Sequence, residues 1–234
     1  MHFSIIREHR EFFRNNQWIE CDDVVSPSDL KRLSVEIPLI LAKRKQEKLL
    51  HSKESDVSDF AMGHDLWREN ASAKKTILSR RMAGIASELT EKQPLRFGYD
   101  MLLPAADEPL AGQTYTDFLK TTPTLEEMSC IQGVIGGAFI CLSCNETQKE
   151  VVTPLFSPTP GNAVFVSPKW PLPLGDLYQR PGCSYLLVVY VQSQAVYLAN
   201  HSDPHLHDFR QLGYDFGDRL KEPLHPIVYE SSPM

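Results

Sequence analysis

SYLLVVYVQSQAVYL, residues 184–198, is a long β-type run, dense in Val, Leu and Tyr until Gln192, Ser193 and Gln194 interrupt it. β-branched and aromatic side chains fit a pleated, buried surface, so the run predicts a core strand. It is too short and too broken to cross a bilayer, as is residues 131–143. Upstream lie further runs of the same kind: LRFGYDMLL (95–103), CIQGVIGGAFICLS (130–143), EVVTPLF (150–156) and GNAVFVSP (161–168), each bounded by turn residues. Several short strands with irregular loops predict a sandwich or barrel.

The first part of the chain reads differently. Residues 1–100 hold three Pro and three Gly, against fourteen and nine in residues 101–234. Ile5, Ile6, His9, Phe12 and Phe13 fall at helical spacing over residues 3–15, with an end at Asn15 and Asn16. A strand is predicted at Trp18–Cys21. Ser26, Pro27 and Asp29 form a helix start, and the helix that follows is expected to carry Leu30, Leu33, Ile37, Leu41 and, further on, Leu49 on its buried side, with Pro38 kinking or splitting it. A third helix is predicted over residues 70–90. The chain is therefore expected to be α+β, a double-stranded β-helix (jelly roll) buttressed by N-terminal helices. It forms one domain, with a helical buttress at 1–94, a jelly-roll core at 95–200, and a C-terminal loop and tail at 201–234.

Charge excludes some classes of function. The 234 residues carry 24 Lys plus Arg and 30 Asp plus Glu, a net charge of −6, so a surface built on phosphate neutralisation is not expected. The basic stretch KRKQEKLLHSK (43–53) reads as a solvated helix face. A metal-responsive DNA-binding regulator would need a recognition helix at 43–53 or 74–81, and neither has helix-turn-helix spacing. Five cysteines, an odd and sparse set, and a charged N-terminus predict a cytoplasmic protein with reduced thiols, with Cys141 buried and Cys144 in a turn. No membrane partner is expected; the partner is a small molecule or protein of unknown identity.

Three segments together resemble the phytanoyl-CoA dioxygenase-like branch of the 2-oxoglutarate and Fe(II) dependent oxygenases. The first is FFRNNQWIECDDVVSPSDLKRL (12–33), with Gln17 where that family has glycine. The second is GVIGGAFICLS (133–143). The third is the pair SPTPGNAVFVSP (157–168) and PGCSYLLVVYV (181–191). The resemblance implies a His-x-Asp or His-x-Glu on an early barrel strand, a second His on a late one, and an arginine for the 2-oxoglutarate carboxylate. Two imidazoles and one carboxylate hold iron on one side and leave the other open.

All eight histidines lie at 2, 9, 51, 64, 201, 205, 207 and 225, so residues 65–200, where the resemblance places the triad, contain none. In GQTYTDFL (112–119), Tyr115 stands for the first ligand and Asp117 for the carboxylate. The late histidine's place falls on Leu174, and the arginine's on Cys183 or Ser184. Tyr115 and Asp117 could otherwise share a strand face as an acid-base pair. A second cluster, HSDPHLHD, brings His201, Asp203, His205, His207 and Asp208 together, but reads as an exposed loop with incidental metal affinity. The expectation is thus an oxygenase-like fold without its iron triad: a non-catalytic binding or regulatory protein with no cofactor, Fe(II) and 2-oxoglutarate being implied by the family but short of ligands. The alternatives are an enzyme with an atypical site, for which His201, Asp203, His205 and His207 are the candidates, and the DNA-binding regulator.

Overall fold

The computed structural model describes residues 4–51, 57–105, 112–144, 156–178, 182–206 and 208–231. The chain opens with α1 (Arg7–Asn16), which ends at Gln17 in the left-handed region (φ 69°), the conformation that explains why glycine suits this position. Strand β1 (Trp18–Cys21) and helix α2 (Pro27–His51) follow. Ser26 starts α2 by accepting a hydrogen bond from the Asp29 amide (3.2 Å) and donating to the Asp29 carboxylate (2.8 Å). The helix continues through Pro38 instead of splitting.

Next come α3 (Asp59–Met62), a 3-10 turn at Leu66–Arg68, α4 (Ala71–Ile77) and α5 (Arg80–Thr90). The single helix expected over 70–90 is two, because Ser79 caps the second through the Met82 amide (3.4 Å). Strand β2 (Leu95–Leu103) leads to α6 (Gly112–Leu119), then β3 (Ile131–Ser143), β4 (Ala163–Val166), α7 (Gly175–Tyr178), β5 (Ser184–Tyr197), α8 (Asp208–Gln211) and β6 (Ile227–Tyr229). Of the expected strand EVVTPLF, residues 150–155 lie outside the described residues. GQTYTDFL, expected to be a strand, is helix α6.

The strands form one antiparallel six-stranded sheet in the order β1-β4-β3-β5-β2-β6. Among the described residues there is no second sheet; the layers facing this one are helices and loops. Bulges in the β2 and β3 pairings with β5 bend the long strands. One face (Ala138, Ile140, Phe165, Leu186, Val188, Tyr190) packs under α2, α4 and α5 through Leu33, Ile37, Ile77 and Met82. The other (Tyr99, Met101, Phe139, Val164, Tyr185, Leu187) packs against Phe60, Tyr115, Phe156, Leu172 and Leu174. Both faces are covered, which is why residues 185–191 of β5 are continuously apolar and buried. Each such side chain contributes ~1.5–3 kcal/mol on burial.

The expectation of reduced thiols is corrected at one pair: Cys144 and Cys183 form a disulfide joining the end of β3 to the residue before β5. Adjacent positions on the two strands, Ser143 and Ser184, are register partners, and this alignment brings the flanking cysteines together. Cys141 is buried, along with the free thiols Cys21 and Cys130.

Candidate metal centre

The sheet's edge at β2 is where chemistry collects. Past β6, which pairs only with Leu95 and Arg96, the edge of β2 is met by His64, whose backbone bridges Met101. The approach is close: the Leu102 amide donates to the Gly63 carbonyl (2.6 Å), and a Cβ at Gly63 would stand 2.6 Å from Leu102 Cβ and 2.7 Å from the Asp59 carbonyl. Only glycine fits there. From α2, the Arg44 guanidinium donates to the carbonyls of Met62, His64 and Asp65 and pairs with Glu69 (3.0 Å). Asp100 of β2 accepts from the Leu66 amide (2.8 Å) on the other side of the loop. His64 is thus held by strand, helix and buried carboxylate together.

The segment 203–208 comes to the same place. Asp203, buried, accepts from the His205 amide (2.8 Å) with one oxygen and from the Cys130 amide (2.6 Å) with the other. This turn fixes His205 and pins the loop to the start of β3. The Asp208 amide then donates to the His205 carbonyl (3.0 Å) as α8 begins.

His64 Nε2 lies 3.1 Å and His205 Nδ1 3.2 Å from Asp208 Oδ2, and the rings are 4.5 Å apart between centroids. Both imidazoles thus stand within hydrogen-bonding reach of one carboxylate oxygen. The three ligand atoms converge within 4.8 Å of one another. Two atoms each about 2.1 Å from one ion and at right angles to it stand about 3.0 Å apart, so the separations are those of neighbouring metal ligands. Burial, reinforced by the charge on His205 and opposed by Asp208, pushes His64 down to about 4, which keeps its imidazole neutral as a ligand must be. Burial opposes ionisation of Asp208, but His205, His64 and Lys48 hold its carboxyl below the usual range. Two imidazoles and a carboxylate suit Fe(II) or Zn(II).

The triad opens on a cavity of about 790 Å³ that Arg44, Lys48, Phe60, Arg68, Glu69 and Leu212 help to line. Arg44 is committed to backbone carbonyls, and Arg68 to Asp65 (3.0 Å) and the Leu224 carbonyl (2.6 Å). Lys48 makes no ion pair with another described residue.

The positions suggested by the family resemblance do not assemble. Tyr115 is buried against Phe60, its hydroxyl donating to the Pro104 carbonyl (2.9 Å). Asp117 is exposed on the same helix and pairs with Lys120 (2.8 Å), so the two share neither a strand nor a cavity wall. Leu174 is buried core, Cys183 is in the disulfide, and the Ser184 hydroxyl shares a hydrogen bond with Ser143 (2.7 Å). The C-terminal cluster is not simply an exposed loop: His201 is exposed, but Asp203 is buried and His205 and Asp208 are half-buried in the site. His207 lies outside the described residues. His64 was missed because it sits one residue before the 65–200 window, on a loop bridged to β2 rather than on a strand. Its signal was Gly63-His64-Asp65, a glycine permitting close approach beside two ligand types. On the basic face of α2, Lys43 and Arg44 pair with Glu69 and Lys45 with Asp59.

No family model and no curated sequence matches this chain. Solved structures do. The non-heme alpha ketoglutarate dependent carbocyclase SnoK of nogalamycin biosynthesis is similar at a TM-score of 0.64 and 14% identity, with 97% of each chain covered. The epimerase SnoN, in complex with Fe3+, alpha ketoglutarate and nogalamycin RO, gives 0.60 at 14% identity over 95% of this chain and 98% of its own. CytC3 with Fe(II) and alpha-ketoglutarate gives 0.58 at 12% identity over 99% and 91%. The chain has the fold of the Fe(II) and 2-oxoglutarate dependent oxygenases. For this oxygenase fold the expectation of no cofactor is overturned on two grounds. SnoN and CytC3 hold iron and alpha-ketoglutarate, and the chain itself presents a His-His-Asp group able to hold a metal. No helix among the described residues is long and apolar enough to cross a membrane.

Proposed function

We propose that this chain is a metal-dependent oxygenase of the 2-oxoglutarate type whose ion is held by His64, His205 and Asp208 at the β2 edge. The composition of the triad is that of the family, two His and one carboxylate. The order differs: His…His-x-x-Asp here, where the phytanoyl-CoA dioxygenase-like branch has His-x-Asp…His. The convergence of the three ligand atoms, in the wall of a large cavity, carries the reading. Bound iron would supply the site for oxygen activation. Lys48 would supply the cation for the co-substrate carboxylate, in place of an arginine at Cys183 or Ser184. Phe60, Met62 and Leu212 give the cavity an apolar side for an organic substrate and for excluding water.

Anaerobic Fe(II) loading followed by elemental analysis tests the site. Stoichiometric iron is expected in the parent and in His201→Ala, and its loss in His64→Ala, His205→Ala and Asp208→Ala. Iron that survives all three substitutions, or a parent that retains none, would overturn the assignment. Succinate formation from 2-oxoglutarate, reduced in Lys48→Ala, tests the co-substrate.

A further inference from the structure

The outward side of α2 is apolar where a surface helix is ordinarily polar. The helix buries Leu33, Ile37, Ile40 and Leu41, yet Val35 (59%), Leu39 (65%), Leu49 (55%) and Leu50 (76%) are exposed on it, four of the eight large apolar side chains exposed among the described residues. At ~100° per residue, Val35, Leu39, Ala42, Gln46, Leu49 and Leu50 fall in one stripe ~100° wide and ~22 Å long, opposite the buried side chains. Leu49, expected on the buried side, joins this stripe because it follows Val35 by ~four helical turns. Single exposed leucines are ordinary; a contiguous stripe marks a surface that something covers.

The charges around the stripe say what fits it. The chain carries a net charge of −6, but the exposed side chains flanking the stripe are Lys31, Arg32 and Lys43. The acids of the helix, Asp29, Glu36 and Glu47, fall ~100° or more from the stripe's centre. Lys31 makes no ion pair with another described residue, and Arg32 meets Asp29 only at 3.8 Å. A second copy would set these cations against an identical face without an acid to receive them. The leucines also stand on a convex helix and line no pocket for a protein partner's anchor. A bilayer needs no pocket: its acyl boundary takes up protruding leucines while anionic headgroups meet the flanking cations. We propose that α2 lies on an anionic lipid surface, with Val35, Leu39, Leu49 and Leu50 entering the acyl boundary and Lys31, Arg32 and Lys43 meeting lipid phosphates. A helix that lies in the interface need not be able to span it.

Co-sedimentation of the full chain with vesicles tests this. The parent should pellet with vesicles of mixed phosphatidylcholine and phosphatidylglycerol, less with phosphatidylcholine alone, and less as salt is raised. Leu39→Glu with Leu50→Glu should weaken binding at least ~10-fold. Lys31→Gln with Arg32→Gln should weaken it ~10-fold on the anionic vesicles and leave phosphatidylcholine binding unchanged. Leu198→Glu, which alters an exposed leucine off this helix, should match the parent. Circular dichroism checks the fold of each variant, and Leu39→Ser with Leu50→Ser repeats the test without adding charge. A parent that stays in the supernatant with anionic vesicles, or leucine variants that bind as the parent does, overturns the proposal. So does a parent that is dimeric in solution and becomes monomeric in the leucine variants, which would give the face to a second copy.

Discussion

Acidification should loosen this fold through one imidazole. His225 is fully buried, its ring packed on Phe97 and Phe209, with Nδ1 3.0 Å from the Tyr214 hydroxyl. Burial pushes its pKa from 6.5 to about 4; the charge of Asp65 opposes this and Arg68 and Arg96 add to it. Between those values the unfolded chain binds the proton and the folded one does not, so stability rises with pH through the window and is lost as pH falls. At ~1.4 kcal/mol per unit, the shift from 6.5 to about 4 is worth ~3.4 kcal/mol in full, and ~2 kcal/mol has gone by about pH 5. His225→Phe keeps an aromatic ring in the cluster and removes the titration, at a constant cost of ~1 kcal/mol for the lost Tyr214 contact. Urea unfolding of both proteins from about pH 7.5 down to about pH 5 isolates the site, since every other group cancels in the difference. The parent should start ahead and fall behind the variant as pH drops. A difference that stays flat across the range would refute the claim that His225 is held neutral. The consequence reaches the candidate metal centre, because Phe209, against which His225 packs, follows Asp208 in α8.

Other perturbations separate site from scaffold. Gly63→Ala should destabilise by ~1–3 kcal/mol in urea unfolding and abolish iron retention, because the new methyl forces the His64 loop off β2. Arg44→Met should lower Co(II) affinity ~10-fold by freeing three carbonyls of that loop, a loss read by titration at temperatures where circular dichroism shows the fold intact. Leu187→Ala, in the centre of β5, should cost ~3 kcal/mol of stability without changing metal stoichiometry. Thiol titration of the unfolded protein without reductant should count Cys21, Cys130 and Cys141 only, and all five cysteines after reduction.

The strands could be read because their signal is local. Residues 95–103, 131–143, 163–166 and 184–197 are runs whose composition suits a sheet buried on both faces, and tertiary contacts do not compete with that preference. Helix α6 could not be read, since GQTYTDFL has neither a decisive period nor a cap, and Tyr115 is drawn inward by Phe60, a contact 55 residues away in sequence. The candidate metal centre could not be read for the same physical reason on a larger scale. His64 and His205 are 141 residues apart, and what joins them is a backbone bridge to Met101, the Arg44 clamp and the Asp203 turn, none of which leaves a periodic trace. Counting histidines on the strands assumed that the sheet itself bears the ligands. Here the inner face is filled with Tyr115, Phe139, Phe156, Tyr185 and Leu174, so no ligand set could converge there without emptying the core. Once packing closes that face, the edge of β2 beyond β6 is where loops can bring imidazoles together against a buried strand. A site of this kind is written in the residues that hold the loops, Gly63, Arg44, Asp100 and Asp203, as much as in the ligands themselves.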